Sequence, residues 1–157
     1  MPPAAAGPAL LRAARTGEAA VREQAIRATA LIQPPETAAV LTGGMADADP
    51  EVRKLASAGW MKASQIPEAA VPPLVEALRD PDTQVRANAA HALSRLAELP
   101  AEAVPLLAGC AADPSDGLRL NAALALRGAA AGAATDVLRH LTGDPHFRVR
   151  LVAAGAR

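Results

Sequence analysis

The stretch DPDTQVRANAAHALSRLA, Asp80 to Ala97, decides the fold because the chain repeats it. It returns as DADPEVRKLASAGWMKA from Asp47, as DPSDGLRLNAALALRGAA from Asp113 and as DPHFRVRLVAAGAR from Asp144. A weaker copy, TGEAAVREQAIRATALI, begins at Thr16. Aligned on the aliphatic residue before Arg, the copies are anchored at Val21, Val52, Val85, Leu118 and Val149, at spacings of 31, 33, 33 and 31 residues. A fixed period of this length is the signature of stacked supersecondary units, and it changes the meaning of every residue within them.

Several columns persist at once. Four residues after each anchor stands an alanine (Ala25, Ala56, Ala89, Ala122, Ala153), and eleven before it a leucine (Leu10, Leu41, Leu74, Leu107, Leu138). Seven after it the residue is small: Ala28, Gly59, Ala92, Ala125 and Ala156. Anchor, +4, +7 and +11 share one side of a 3.6-residue helix, so each copy ends in an amphipathic second helix whose small residues allow close approach. Pro-rich starts such as Gln33-Pro34-Pro35-Glu36 and Leu99-Pro100-Ala101-Glu102 open a first helix upstream, and an Asp-containing turn separates the two. One hairpin cannot bury both of its apolar stripes. The expected architecture is therefore all-α, a single-domain right-handed α-solenoid of five hairpins, at about 7–32, 35–63, 68–97, 101–130 and 133–157, with first helices convex and second helices concave.

These residues resemble the HEAT repeat, in the short bacterial form also found in the HEAT-like repeats of phycobilisome lyases. The resemblance is carried by Pro8, Pro72 and Pro105 in the first helix, with Ala39 and Asp136 departing from it. It is carried further by Asp47, Asp80, Asp113 and Asp144 in the turn, with Thr16 departing, and by Arg22, Arg53, Arg86, Arg119 and Arg150 after each anchor. It implies a scaffold or binding surface more than a chemistry. The Asp and Arg columns have a mechanical reading: each Asp accepts from a second-helix N-terminus, and each guanidinium bridges carboxylates of adjacent turns into a ladder.

Composition agrees. Of the 157 residues 42 are Ala, aromatics make up 1%, and 16 Lys+Arg balance 16 Asp+Glu, so a bulk polyelectrolyte partner is not indicated. A single cysteine, Cys110, excludes an internal disulfide or a cysteine-based zinc site and fits a reducing compartment. The longest uncharged run, Met1 to Leu11, lacks the basic start of a signal peptide and the length of an anchor, so a cytoplasmic location is expected. His91, His140 and His146 form no metal-ligand spacing, no glycine-rich phosphate loop is present, and no catalytic constellation assembles; neither a cofactor nor an enzyme is expected. Base-stacking glycosylase chemistry, known in HEAT-like enzymes, needs more ring surface than Trp60 and Phe147 supply. Trp60 reads as core filling beside Gly59, and Cys110 as a buried thiol.

Positions +2, +3, +6, +9 and +10 of the second helices are expected to point away from the core. Two features stand out there. From the anchors onward these helices carry Arg22, Arg27, Arg53, Lys54, Lys62, Arg86, Arg95, Arg119, Arg127, Arg150 and Arg157 against Glu23 alone, which predicts a basic groove. Leu120, Leu124, Leu151 and Val152 add an aliphatic patch where earlier copies have polar or small residues. The expected partner-binding set is Asn88, His91, Arg95, Leu120, Asn121, Leu124, Arg127, Leu151 and Val152, taking a protein with acidic and apolar features. The alternatives are nucleic-acid binding along the basic groove and an enzyme-assisting role like that of the bilin lyases. The last second helix is short and lacks a polar cap, so a partner, a second copy or further chain is expected to cover it.

Overall fold

A computed structural model describes residues 3–129 and 132–155. Among these, ten α-helices, two short 3-10 turns and no strand are found. Ala156 of the +7 column and Arg157 of the basic set lie outside the described residues. The chain divides into two compact blocks, Met1–Pro73 and Leu74–Arg157.

The N-terminal block holds α1 (Pro3–Thr16), α2 (Ala19–Ile32), α3 (Thr37–Met45) and α4 (Pro50–Lys62). Helix α1 pairs with α2 and α3 with α4, while α1 also packs on α3 and α2 on α4, the contacts of two hairpins laid side by side. Close approach is built in at Gly44: a Cβ there would lie 2.7 Å from Ile26 Cδ1 and 2.8 Å from Ala56 Cβ. The Gly43-Gly44 pair ends α3 and serves packing at its second member. Gly59 plays the same part for Leu41, whose Cδ2 would lie 2.5 Å from an added Cβ. Trp60 is buried there, in one column with Thr29, Leu93 and Leu126, which are buried too.

The boundary between the blocks falls inside the third repeat's first helix, which is broken. It runs as a 3-10 turn (Glu68–Ala70), α5 (Val71–Glu76) and a second 3-10 turn (Ala77–Arg79). Pro72 and Pro73 contribute no N–H, so this stretch cannot sustain a long α-helix. The C-terminal block continues with α6 (Thr83–Leu93), α7 (Ala103–Cys110), α8 (Asp116–Leu126), α9 (Thr135–Leu141) and α10 (Phe147–Ala154). Helix α8 is flanked by α6 and α10 and backed by α7, and α9 lies against α10.

The repeat columns are the core. All five +4 alanines, Ala25, Ala56, Ala89, Ala122 and Ala153, are buried, as are the anchors Val52, Val85, Leu118 and Val149 and the leucines Leu41, Leu74, Leu107 and Leu138. The first repeat departs: Leu10 is half-buried and the anchor Val21 is 48% exposed. Val21 leans instead on Gly17, where a Cβ would lie 2.6 Å from its Cγ1.

Candidate interaction face

The second helices α4, α6, α8 and α10 are each preceded by a turn that carries a short polar device. The residue that caps the helix is not the column aspartate but the one two positions later. Asp49 accepts from Glu51 N and Val52 N, Asp82 from Gln84 N and Val85 N, and Ser115 from Leu118 N. The column aspartate sits one layer back and accepts the N–H of the cap residue itself. Asp47 takes Asp49 N at 2.9 Å, Asp80 takes Asp82 N at 2.8 Å, Asp113 takes Ser115 N at 2.8 Å and Asp144 takes His146 N at 2.8 Å. The expectation that these aspartates cap the helices directly is corrected accordingly; they fix the residue that does.

The arginine column does form a ladder. Each guanidinium first grips the carbonyls of its own turn: Arg53 those of Asp47 and Ala48, Arg86 those of Asp80 and Pro81, Arg119 those of Asp113 and Pro114, Arg150 those of Asp144 and Pro145. Three of the column arginines also reach the aspartate of the next turn. In the N-terminal block Arg22 binds both oxygens of Asp47 at 2.6 Å. In the C-terminal block Arg86 Nη2 reaches Asp113 Oδ2 at 2.8 Å, and Arg119 meets both oxygens of Asp144 at 2.7 and 3.1 Å. Hydrogen bonds from Arg22 and Arg119 hold Asp47 and Asp144 below the usual carboxylate range, and raise the two arginines in turn. Asp113 is lowered mainly by the Ser115 N–H and then by Arg86.

This bonding thins the expected basic groove. The second helices also start before their anchors, so Glu51 in α4 and Asp116 in α8 join Glu23 on them. Lys54 pairs with Glu51 at 2.8 Å and Arg27 with Glu23 at 3.8 Å. Among the described residues the exposed bases of the set are Arg27, Lys62, Arg95, Arg127 and Arg150; Arg157 lies outside them.

The expected partner-binding residues divide into two classes. Positions +6, +9 and +10 of α6 and α8 are open: Arg95 and Arg127 are exposed, and His91 and Leu124 are partly so. Arg127 Nη2 donates to Gly155 O at 3.2 Å, which lays its side chain along the face. Positions +2 and +3 instead lie on flanks that meet neighbouring second helices, +2 of α6 against +3 of α8. Asn121 of α8 donates its amide to Ala87 O of α6 at 3.0 Å, and under it Ala87 is buried. Asn88, expected to face outward, is 2% exposed and accepts from Gln84 Nε2 at 2.8 Å. Leu120 and Val152 are half-buried on these flanks, whereas Leu151 is 71% exposed. A helical wheel separates core from non-core but not open face from flank, which depends on where the neighbour sits.

Among the described residues no three His, Cys, Asp or Glu side chains gather as a metal ion would require, and no helix is long and apolar enough to cross a membrane. Cys110 is buried, 3.9 Å from Leu78 O, and burial pushes its thiol pKa up. One feature escaped the sequence reading, a cavity of about 260 Å³ at the C-terminal ends of α2 and α4, lined by Pro34, Pro35, Trp60 and Pro67 among others. Its walls come from two loops whose meeting no periodicity reports.

Residues 47–127 match the family model described as HEAT repeats. No curated protein is detectably similar in sequence. Solved structures are similar in fold. One subunit of the CpcE–CpcF complex of phycocyanin lyase from Nostoc sp. PCC7120 aligns over 94% of this chain and 62% of its own, with 20% identity and a TM-score of 0.74. The chain thus spans less than two thirds of that subunit. A designed armadillo repeat protein, solved in complex with the peptide (KR)4, aligns over 97% of this chain and 80% of its own, with 20% identity and a TM-score of 0.76. An engineered protein aligns over 94% and 76%, with 24% identity and a TM-score of 0.73. The fold is all-α, of the helical-hairpin solenoid class to which these structures belong.

Proposed function

Since the chain belongs to the HEAT-repeat family, we propose that it is a non-catalytic scaffold, read as one domain, that binds another protein through the outer edges of its second helices. The observation that carries this reading is the strip across α6, α8 and α10. These helices lie side by side and leave His91, Arg95, Leu124 and Arg127 accessible, with Leu120, Leu151 and Val152 on the adjoining flanks. Arginines beside exposed aliphatics suit a partner with acidic and apolar side chains. Asn88 drops out because it is buried, and Asn121 contributes little because its amide is engaged by Ala87 O. That a designed repeat protein of this fold was solved with a bound peptide supports the same mode of use.

The non-catalytic part of the reading rests on chemistry. An activated cysteine needs exposure and a depressed pKa, and Cys110 has neither. An assisting role in a larger assembly, as the likeness to a lyase subunit suggests, is compatible with a binding face and needs no residue of its own to react. Nucleic-acid binding is disfavoured by the pairing of so many of the basic side chains. A cytoplasmic location belongs to this proposal and draws on the free thiol of Cys110.

The test is selection from a displayed random-peptide library, followed by affinity measurement with Leu124→Ala and Arg127→Ala. Acidic-apolar peptides should emerge, and each substitution should weaken them about tenfold, roughly the size of one good interface contact. Circular dichroism must show the variants folded. Selection of basic peptides, or affinities unmoved by both changes, contradicts the proposal, and salt-sensitive shifts of a DNA or RNA probe would favour the rival reading.

A further inference from the structure

The cavity at the C-terminal ends of α2 and α4, inside the N-terminal block, has the make-up of a small-molecule site. Its lining is largely apolar and includes Pro34, Leu41, Trp60 and Pro67. Trp60 is the chain's one tryptophan and holds a column that elsewhere carries Thr29, Leu93 and Leu126, so only this repeat sets a flat indole there. Gly59 lets Leu41 close in, since an added Cβ would lie 2.5 Å from Leu41 Cδ2. The walls are also stiff. Gln33 turns the chain out of α2 with a left-handed φ of 49° and donates its N–H to Thr29 O at 2.8 Å, and the two prolines that follow have φ fixed by their rings. The shape therefore needs little ordering to receive a ligand.

The polar part of the lining carries one charge. Gln33, Lys62 and Gln65 are exposed, and Lys62 is the one charged residue among the described residues that line the cavity, so no carboxylate in the wall neutralises it. This combination is not a by-product of the repeat. A cavity of about 540 Å³ at later linkers, inside the C-terminal block, is lined by Glu98, Leu99, Pro100 and Val104 among others, with an acid in place of the base and no aromatic ring. Size narrows the occupant. A cavity of about 150 Å³ takes a benzene molecule, so the 260 Å³ available here admits one ring or a branched chain together with a carboxylate.

We propose that this cavity binds a small monocarboxylate with a compact apolar body, the body against Trp60, Leu41 and the prolines and the carboxylate at Lys62 Nζ. The site lies in the N-terminal block and does not require the strip across α6, α8 and α10 to bind anything.

Trp60 also supplies the readout, because the chain has no other tryptophan and no tyrosine. The probe is phenylpropionate, titrated against the full chain beside phenylpropanol and phenylpropylamine, which keep the ring and replace the acid by a neutral group or a cation. Phenylpropionate should change the Trp60 emission saturably at about millimolar concentration, the scale for a ligand of roughly ten heavy atoms. The alcohol should bind about tenfold more weakly, as expected for loss of one hydrogen bond to a charged group, and the amine more weakly still. Lys62→Gln should erase the preference for the acid while Lys62→Arg keeps it. Ala38→Leu, at a half-buried lining position, should fill the space and abolish binding of acid and alcohol alike. Saturation-transfer NMR of the probe detects a bound state that fluorescence misses, and melting curves matching the parent keep misfolding out of the comparison. The idea is overturned if neither method detects saturable binding, if the amine binds as well as the acid, if the preference survives Lys62→Gln, or if Ala38→Leu leaves binding intact.

Discussion

Arg119 and Asp144 stand 25 residues apart in sequence yet share two charge-assisted hydrogen bonds, with the carboxylate only 3% and the guanidinium 12% exposed. The pair joins the fourth repeat to the fifth and at the same time holds the N–H of His146, where α10 begins. A single side chain therefore orients a helix start and fastens two hairpins.

Asp144→Asn keeps the shape but removes the charge. It should cost about 2 kcal/mol, the range for a hydrogen bond to a charged group with a partner left half-buried. Asp136→Asn, which touches only the exposed pair with Arg139, should stay within about 0.5 kcal/mol. Urea melts of both variants check this, and equal losses would remove the special status of the ladder.

Acid should undo the ladder. Asp47, Asp113 and Asp144 all have folded-state pKa values below the ordinary one. A depressed carboxylate adds stability that is complete above its unfolded pKa and disappears as pH falls through the folded one. Stability should therefore be flat near neutrality and drop below about pH 4, where unfolded aspartate begins to bind protons. Thermal melts from neutral to acid pH check it. An Asp47→Asn, Asp144→Asn double variant should start lower and lose less; an unchanged acid limb would contradict the assignment.

Cys110 should be slow to react. It is buried and its thiol is pushed up in pKa, so a disulfide-exchange reagent should modify it only through opening of the structure. Labelling should accelerate steeply in denaturant. Rapid modification of the native protein at neutral pH would show the site to be open.

Much of this was legible in the one-dimensional pattern, and the limits are instructive. The +4 alanines and the leucines eleven before the anchor could be found because burial follows the helical period. The Arg–Asp ladder could be anticipated because both residues recur in step. The division of labour between Asp47 and Asp49, or Asp80 and Asp82, could not, since both lie in the same turn and only the backbone path decides which caps. Asn88 was misjudged for a related reason: its residue type is polar, yet it is buried and satisfied by Gln84 of its own helix. Val21 fits its column perfectly and is still exposed, because a column reports membership of the repeat and not whether a neighbour covers that copy.

The central claim is that a residue's role is set by its place in the repeat, with the +4 alanines at the tightest point. The measurement that tests it most directly is the unfolding free energy of Ala56→Leu, Ala89→Leu and Ala122→Leu beside Ala20→Leu and Ala112→Leu, which are exposed. The account predicts losses of about 1–3 kcal/mol or more at each of the first three, the cost of overpacking a filled core, and changes within about 0.5 kcal/mol at the others. If leucine is accepted equally well at both sets of positions, the register that organises this structure is wrong.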